Sequence, residues 1–141
     1  MNESLESKDN IIDNVENKET ENTEPKISIE KSILLSIKKL LGILPEDENF
    51  DTDIIIHINT VFTTLLQLGV GPKNGYRIID ANNEWSEFVQ DEENLDSVKT
   101  YIYLKVRLVF DPPANSFVVE SFKQTIQELE WRLNVASDSN E

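Results

Sequence analysis

The chain has 141 residues, 38% of them hydrophobic, with 27 acidic against 13 basic side chains and a net charge of −14. That length suits one compact domain with a tail rather than two full domains. The charge weighs against capture of DNA or anionic membranes, whose phosphates would be repelled, and the absence of cysteine excludes disulfides, thiolate catalysis and cysteine-ligated metals.

Residues 1–26 are rich in Asn, Glu, Lys, Ser and Thr, and apart from Met1 their only aliphatic residues are Leu5, Ile11, Ile12 and Val15. Too little apolar surface is available there to offset the entropy of ordering, so an acidic flexible extension is expected. Ile11, Ile12 and Val15 have the spacing of a short helix that a partner could order. The acidic start is unlike a secretory signal. No apolar stretch approaches the roughly 18–20 residues that span a bilayer. A soluble protein made inside the cell is expected.

Residues 27–135 form the expected domain, and the polar tail 136–141 is expected to fray. The first helix is placed near Ser28–Leu41, with Ser28 as N-cap and an apolar stripe of Ile33, Leu34, Ile37, Leu40 and Leu41. Gly42 stops it and Pro45 follows. A second helix starts at Asp51 or Thr52, where Asp51 and Asp53 suit the cap and the dipole. Ile54, Ile55, Ile58, Val61, Phe62, Leu65, Leu66 and Leu68 give it a broad apolar face, and Gly69 closes it. Residues 69–75 read as a loop, followed by a short extended piece at Ile78 and Ile79.

Asn82 or Asn83 is expected to cap a short helix holding Trp85, Phe88 and Val89, and Asn94-Leu95-Asp96 to open another. Tyr101–Phe110 alternates apolar and polar residues like a strand, yet Val98, Tyr101, Ile102, Lys105, Val106 and Val109 also fit helical spacing. The flanking helices and the unbroken run from Leu95 decide for helix. Asp111-Pro112-Pro113 must end it. Asn115 or Ser116 then caps a last helix reaching about Leu133, lined on one side by Phe117, Val118, Phe122, Ile126, Leu129 and Leu133. The expected fold is all-α: a small helical bundle with a long C-terminal helical hairpin.

The chemistry on offer is thin. His57 is the only histidine, so neither a His-dependent triad nor a multi-His metal site can be built. It reads as a core-edge or interface residue. Glu46-Asp47-Glu48 and Asp91-Glu92-Glu93 read as solvated loop charge and lack the ligand spacing of a calcium loop. Gly69-Val70-Gly71-Pro72-Lys73 does not match a phosphate loop, and its proline lacks the N–H such a cradle needs. No catalytic residue, metal or cofactor is expected. Trp131 beside Arg132 has the composition of a protein interface, with core packing as the other reading. No basic stripe accompanies the aromatics, which argues against stacking on nucleic-acid bases.

Several segments, in order, carry a resemblance: Ile37-Lys38-Lys39-Leu40-Leu41-Gly42-Ile43; Phe50-Asp51-Thr52-Asp53-Ile54-Ile55; His57-Ile58-Asn59; Leu66-Gln67-Leu68-Gly69-Val70-Gly71-Pro72; Trp85-Ser86-Glu87-Phe88; Val98 through Arg107; Phe110-Asp111-Pro112-Pro113; and Glu128 through Asn134. Together, from about Ser32 to Asn134, they resemble the head-tail connector, or adaptor, proteins of long-tailed phages of low-GC Gram-positive bacteria. The resemblance implies a non-enzymatic virion protein of the neck, assembled in the host cytoplasm. It implies a homo-oligomeric ring of about twelve copies that docks to the portal above and to a stopper or tail protein below. Genomic DNA would pass through without specific binding, and no membrane is involved.

On this reading Tyr101, Tyr103, Arg107, Trp131 and Arg132 are the candidate subunit or partner interface. Glu46, Glu48, Asp91, Glu92 and Glu93 are candidate channel or rim residues. Two other readings stand beside it: another neck protein, such as a stopper or tail terminator, or an acidic DNA mimic that binds a host enzyme. For the last, residues 27–141 still hold 19 acidic against 10 basic side chains.

Overall fold

Helix begins one turn later than Ser28. In the computed structural model, which describes residues 26–139, Ser32 is the N-cap of α1 (Ile33–Leu40): its hydroxyl accepts from the Leu35 N–H at 3.2 Å and donates to the Ala81 carbonyl at 2.7 Å. Ser28 contributes only its carbonyl, which accepts the Ser32 N–H at 3.0 Å and closes the preceding turn. Leu41 ends α1, and Gly42 takes up a positive φ of 78° just beyond it, the conformation glycine adopts at least steric cost. Expectations for residues 1–25 and 140–141 lie outside the described residues.

Helix α2 (Asp51–Gln67) starts where the sequence places it, but not by side-chain capping. The Asp51 carboxylate turns instead to Lys38 of α1, with Oδ1 at 2.8 Å from Nζ. Lys38 is wholly buried, and its ammonium also donates to the carbonyls of Pro45 (3.1 Å) and Asp47 (2.7 Å). One cation thus ties α1, the 43–50 loop and the first turn of α2.

Residues 70–83 carry no helix or strand, so Ile78 and Ile79 are not an element of a sheet. Ile78 is nevertheless buried, and the Asn59 side chain of α2 grips its backbone. Asn59 Oδ1 accepts the Ile78 N–H at 2.8 Å, and Nδ2 donates to the Ile78 carbonyl at 3.0 Å. A side-chain amide here replaces the ladder a strand would have had. Glu84, not Asn82 or Asn83, caps α3 (Trp85–Phe88), in a reciprocal box with Glu87 at the third helical position. Asn83 is occupied elsewhere, its side-chain oxygen accepting from the Ile79 N–H.

Helix α4 (Glu92–Phe110) opens at Asp91 rather than at Asn94, since the Asp91 carboxylate reaches the Glu93 N–H first. It packs against α1, α2 and α5 and is the central helix of the bundle. Tyr101–Phe110 is helical throughout. Asn115 caps α5 (Ser116–Asp138), which runs past Leu133 and takes in residues 136–138 of the supposed tail. Polarity alone did not end it: the Ser137 hydroxyl donates to the Leu68 carbonyl at 3.0 Å, tying the last turn to the end of α2. Among the described residues there are five helices and no strand, with 62% of residues helical.

Candidate functional site

The hairpin of α4 and α5 sorts the five candidate interface residues into three groups. Tyr101 is withdrawn from the set. It is fully buried, and its hydroxyl donates to Glu130 Oε1 at 2.8 Å, which leaves it no surface to offer a partner. Burial and the Glu130 carboxylate both push its phenol above the ordinary 10.0. Tyr103 and Arg107 are half-buried and engaged within the hairpin. Arg107 Nε donates to the Asp111 carbonyl at 2.6 Å, Nη1 lies 3.4 Å from the Tyr103 hydroxyl, and the Tyr103 ring meets Phe122 at 6.5 Å between centroids. The guanidinium therefore closes the C-terminal end of α4, where the helix dipole favours a cation.

Trp131 and Arg132 form the third group. Trp131 is 69% exposed, which decides against its reading as core. Arg132 is exposed and makes no ion pair among the described residues. The packed face of α5 is Ile126, Leu129 and Leu133. Phe117 and Val118 do not belong to it: Phe117 is 85% exposed. Nine residues at about 100° each put Phe117 half a turn out of phase with Ile126, a signal legible in the sequence.

The acidic candidates fall at opposite ends of the bundle. Glu46 and Glu48 are exposed on the loop before α2, beside the end where Phe50 packs edge-on against Phe110 at 5.5 Å. Asp91, Glu92 and Glu93 sit at the other end, at the start of α4. The 19 residues of that helix separate the two sets by about 28 Å, so within one chain they form two acidic ends and not one rim. Asp91 also has a structural duty as N-cap, and Glu92 and Glu93 lie where the helix dipole favours carboxylates.

The end holding Glu46 and Glu48 also exposes four apolar side chains, Leu44, Phe50, Val109 and Phe117, the last of which the sequence pattern had placed on the packed face of the final helix. His57 is half-buried there, 6.5 Å from the Phe110 ring. At the other end a cleft of about 290 Å³ opens among Val70, Gly71, Phe88, Asp91, Leu133 and Ser137. Among the described residues no three His, Cys, Asp or Glu side chains gather as a metal site would require, and no helix is long and apolar enough to cross a membrane.

The described surface thus offers exposed aromatics, two acidic ends and an apolar cleft. The family model described as phage connector protein matches residues 33–140, which takes in all five helices. Neither the curated proteins nor the solved structures contain a match.

Proposed function

This chain belongs to the phage connector protein family, a structural family of phage particles, and we propose that it is the head-tail connector, or adaptor, of a tailed phage. Copies assemble into a ring in the neck of the virion, between the portal and a stopper or tail protein, and extend the channel through which the genome passes. The observation that carries this is the extent of the family match, which spans the whole helical bundle rather than a fragment of it.

The bundle's surface supports the same reading. Acidic residues at both ends suit a conduit that DNA must traverse without being held, since lysine and arginine contacts to phosphates are what capture it. Exposed apolar and aromatic side chains suit protein contacts, where such residues concentrate. A stopper or tail terminator is the weaker reading, because those tend toward more β structure and the described residues hold no strand. A DNA mimic is weaker too. Mimicry needs carboxylates arrayed on one surface at phosphate-like spacing, and here the acidic candidates are split between two ends.

The test is genetic. Phage whose copy of this gene is removed should yield lysates with separate heads and tails under the electron microscope, and supplying the chain from a plasmid should restore joined particles. Joined, infectious virions without the chain would refute the connector role.

A further inference from the structure

We propose that Trp131 and Arg132 of one copy of this chain seat in the cleft that a second copy forms between Val70, Phe88, Asp91 and Leu133, in a head-to-tail contact repeated from copy to copy. This rests on the ring reading above and names the surfaces that would join its subunits.

Trp131 and Arg132 present a large aromatic next to a cation that has no partner among the described residues. Trp and Arg are the residue types that most often dominate binding energy when they enter a fitted pocket. The cleft is such a pocket. Its floor is apolar, from Val70, Phe88 and Leu133, and Asp91 stands in its wall with Glu92 and Glu93 following in the chain. Its shape is fixed by two glycines. A Cβ on Gly71 would come within 2.2 Å of the Phe88 ring, and one on Gly69 within 2.9 Å of Ser137 Oγ. The backbone at the two glycines therefore packs directly against Phe88 and Ser137 and holds the two sides of the cleft in place.

Charge favours this pairing over the reverse. With a net of −14, two copies repel one another at long range, so a contact between them must set cations against carboxylates. Lys123, the only other basic residue of α5, is already paired with Glu120 at 3.4 Å. Arg132 is the cation of α5 without an ion pair among the described residues, and it can meet the Asp91–Glu93 side of the cleft.

Position lets the contact repeat. Leu133, in the cleft floor, stands two residues beyond Trp131 and so about 200° round the helix from it. Donor and acceptor surfaces thus lie on opposite flanks of the same turns of α5, so one copy can donate on one side and accept on the other. Such a heterologous contact runs from copy to copy and makes a ring where the rotation it imposes closes.

The chain's lack of cysteine gives a clean test. The full-length double variant Gln127→Cys, Gln90→Cys keeps Trp131 and Arg132 and places one thiol beside each surface, Gln127 lying one turn before Trp131, both at exposed positions whose change leaves the core intact. It is oxidised alone and with the cognate portal, while native mass spectrometry of the unmodified chain reports assembly under the same conditions. The proposal expects a ladder of covalent multimers from the double variant and neither single variant giving more than a trace. Adding Arg132→Glu should weaken the ladder about tenfold. Oligomers without a ladder would overturn this interface and leave the ring reading standing. Dimers from Gln127→Cys alone would show a symmetric contact and overturn it as well. No assembly in either condition would overturn both.

Discussion

Lys38 has no exposed surface, yet three oxygens meet its ammonium: the carbonyls of Pro45 and Asp47 and the carboxylate of Asp51. Asp51 Oδ1 has no hydrogen-bond partner of its own, so the ion pair is what compensates its burial. Replacing Lys38 by Met keeps the aliphatic stem and abandons all three oxygens. The expected loss is about 3 kcal/mol, read as a lowered urea midpoint with unchanged slope; an unchanged midpoint would refute the role. Tyr101 makes a second residue-scale case. Its hydroxyl is the donor to Glu130, and burial with that carboxylate raises its ionisation above the usual 10.0. A raised folded-state value means the stabilisation is complete below pH 10 and is lost as the pH climbs toward the folded-state value. Burial raises Tyr76 as well, so ultraviolet titration should find a late phase that accompanies the fall in helix content, and Tyr101→Phe should remove one tyrosine's share of it. A tyrosine set that titrates entirely near 10 in the folded chain would contradict this.

At the level of elements, α4 explains why its own sequence is ambiguous. It is packed by α1, α2 and α5, so Val98, Tyr101, Ile102, Leu104 and Val106 are all buried. A buried arc that wide contains residues two apart, and in the sequence that looks like strand alternation. Two of its exposed neighbours show the same limit. Phe117 and Trp131 are apolar in composition but lie off the packed face of α5, where Ile126, Leu129 and Leu133 do the packing. Phe117→Ser should therefore shift stability by no more than about 0.5 kcal/mol, whereas Leu129→Ala should cost about 3 kcal/mol; thermal melts of the two variants check the assignment. Asn59 shows what periodicity cannot reveal. It grips Ile78 from nineteen residues away, and Asn59→Ala should remove roughly 2 kcal/mol and speed amide exchange at Ile78 above that of α2. Equal exchange before and after the change would show the clamp to be idle.

Helix number, the two glycine stops and the Pro-Pro turn were legible because each depends on local chemistry. Cap positions were less so: Ser32 is chosen over Ser28 by a partner that a loop brings in, the Ala81 carbonyl, and Asp91 takes precedence over Asn94 because its carboxylate reaches the Glu93 N–H two residues on. Of the proposed contact residues, Tyr101 was misplaced for a similar reason. A tyrosine offers the same amphipathic side chain to a core or to an interface, and its Glu130 acceptor lies twenty-nine residues further along the chain.

For the whole molecule, the arrangement of the helices puts an acidic patch at each end of the bundle, exposed apolar side chains at one end and a cleft at the other. That polarity suits a subunit that must meet one protein above, another below and its own copies at the sides. Membership of the phage connector family gives the arrangement its context, and the ring beneath the portal is the claim on which the account depends. Cryo-electron microscopy of the full-length chain mixed with the portal complex of its phage tests that claim most directly. The account predicts a ring of these helical bundles on the tail-facing side of the portal, coaxial with its channel. A portal left bare, with the chain bound instead to a tail component or to a host enzyme, would contradict it.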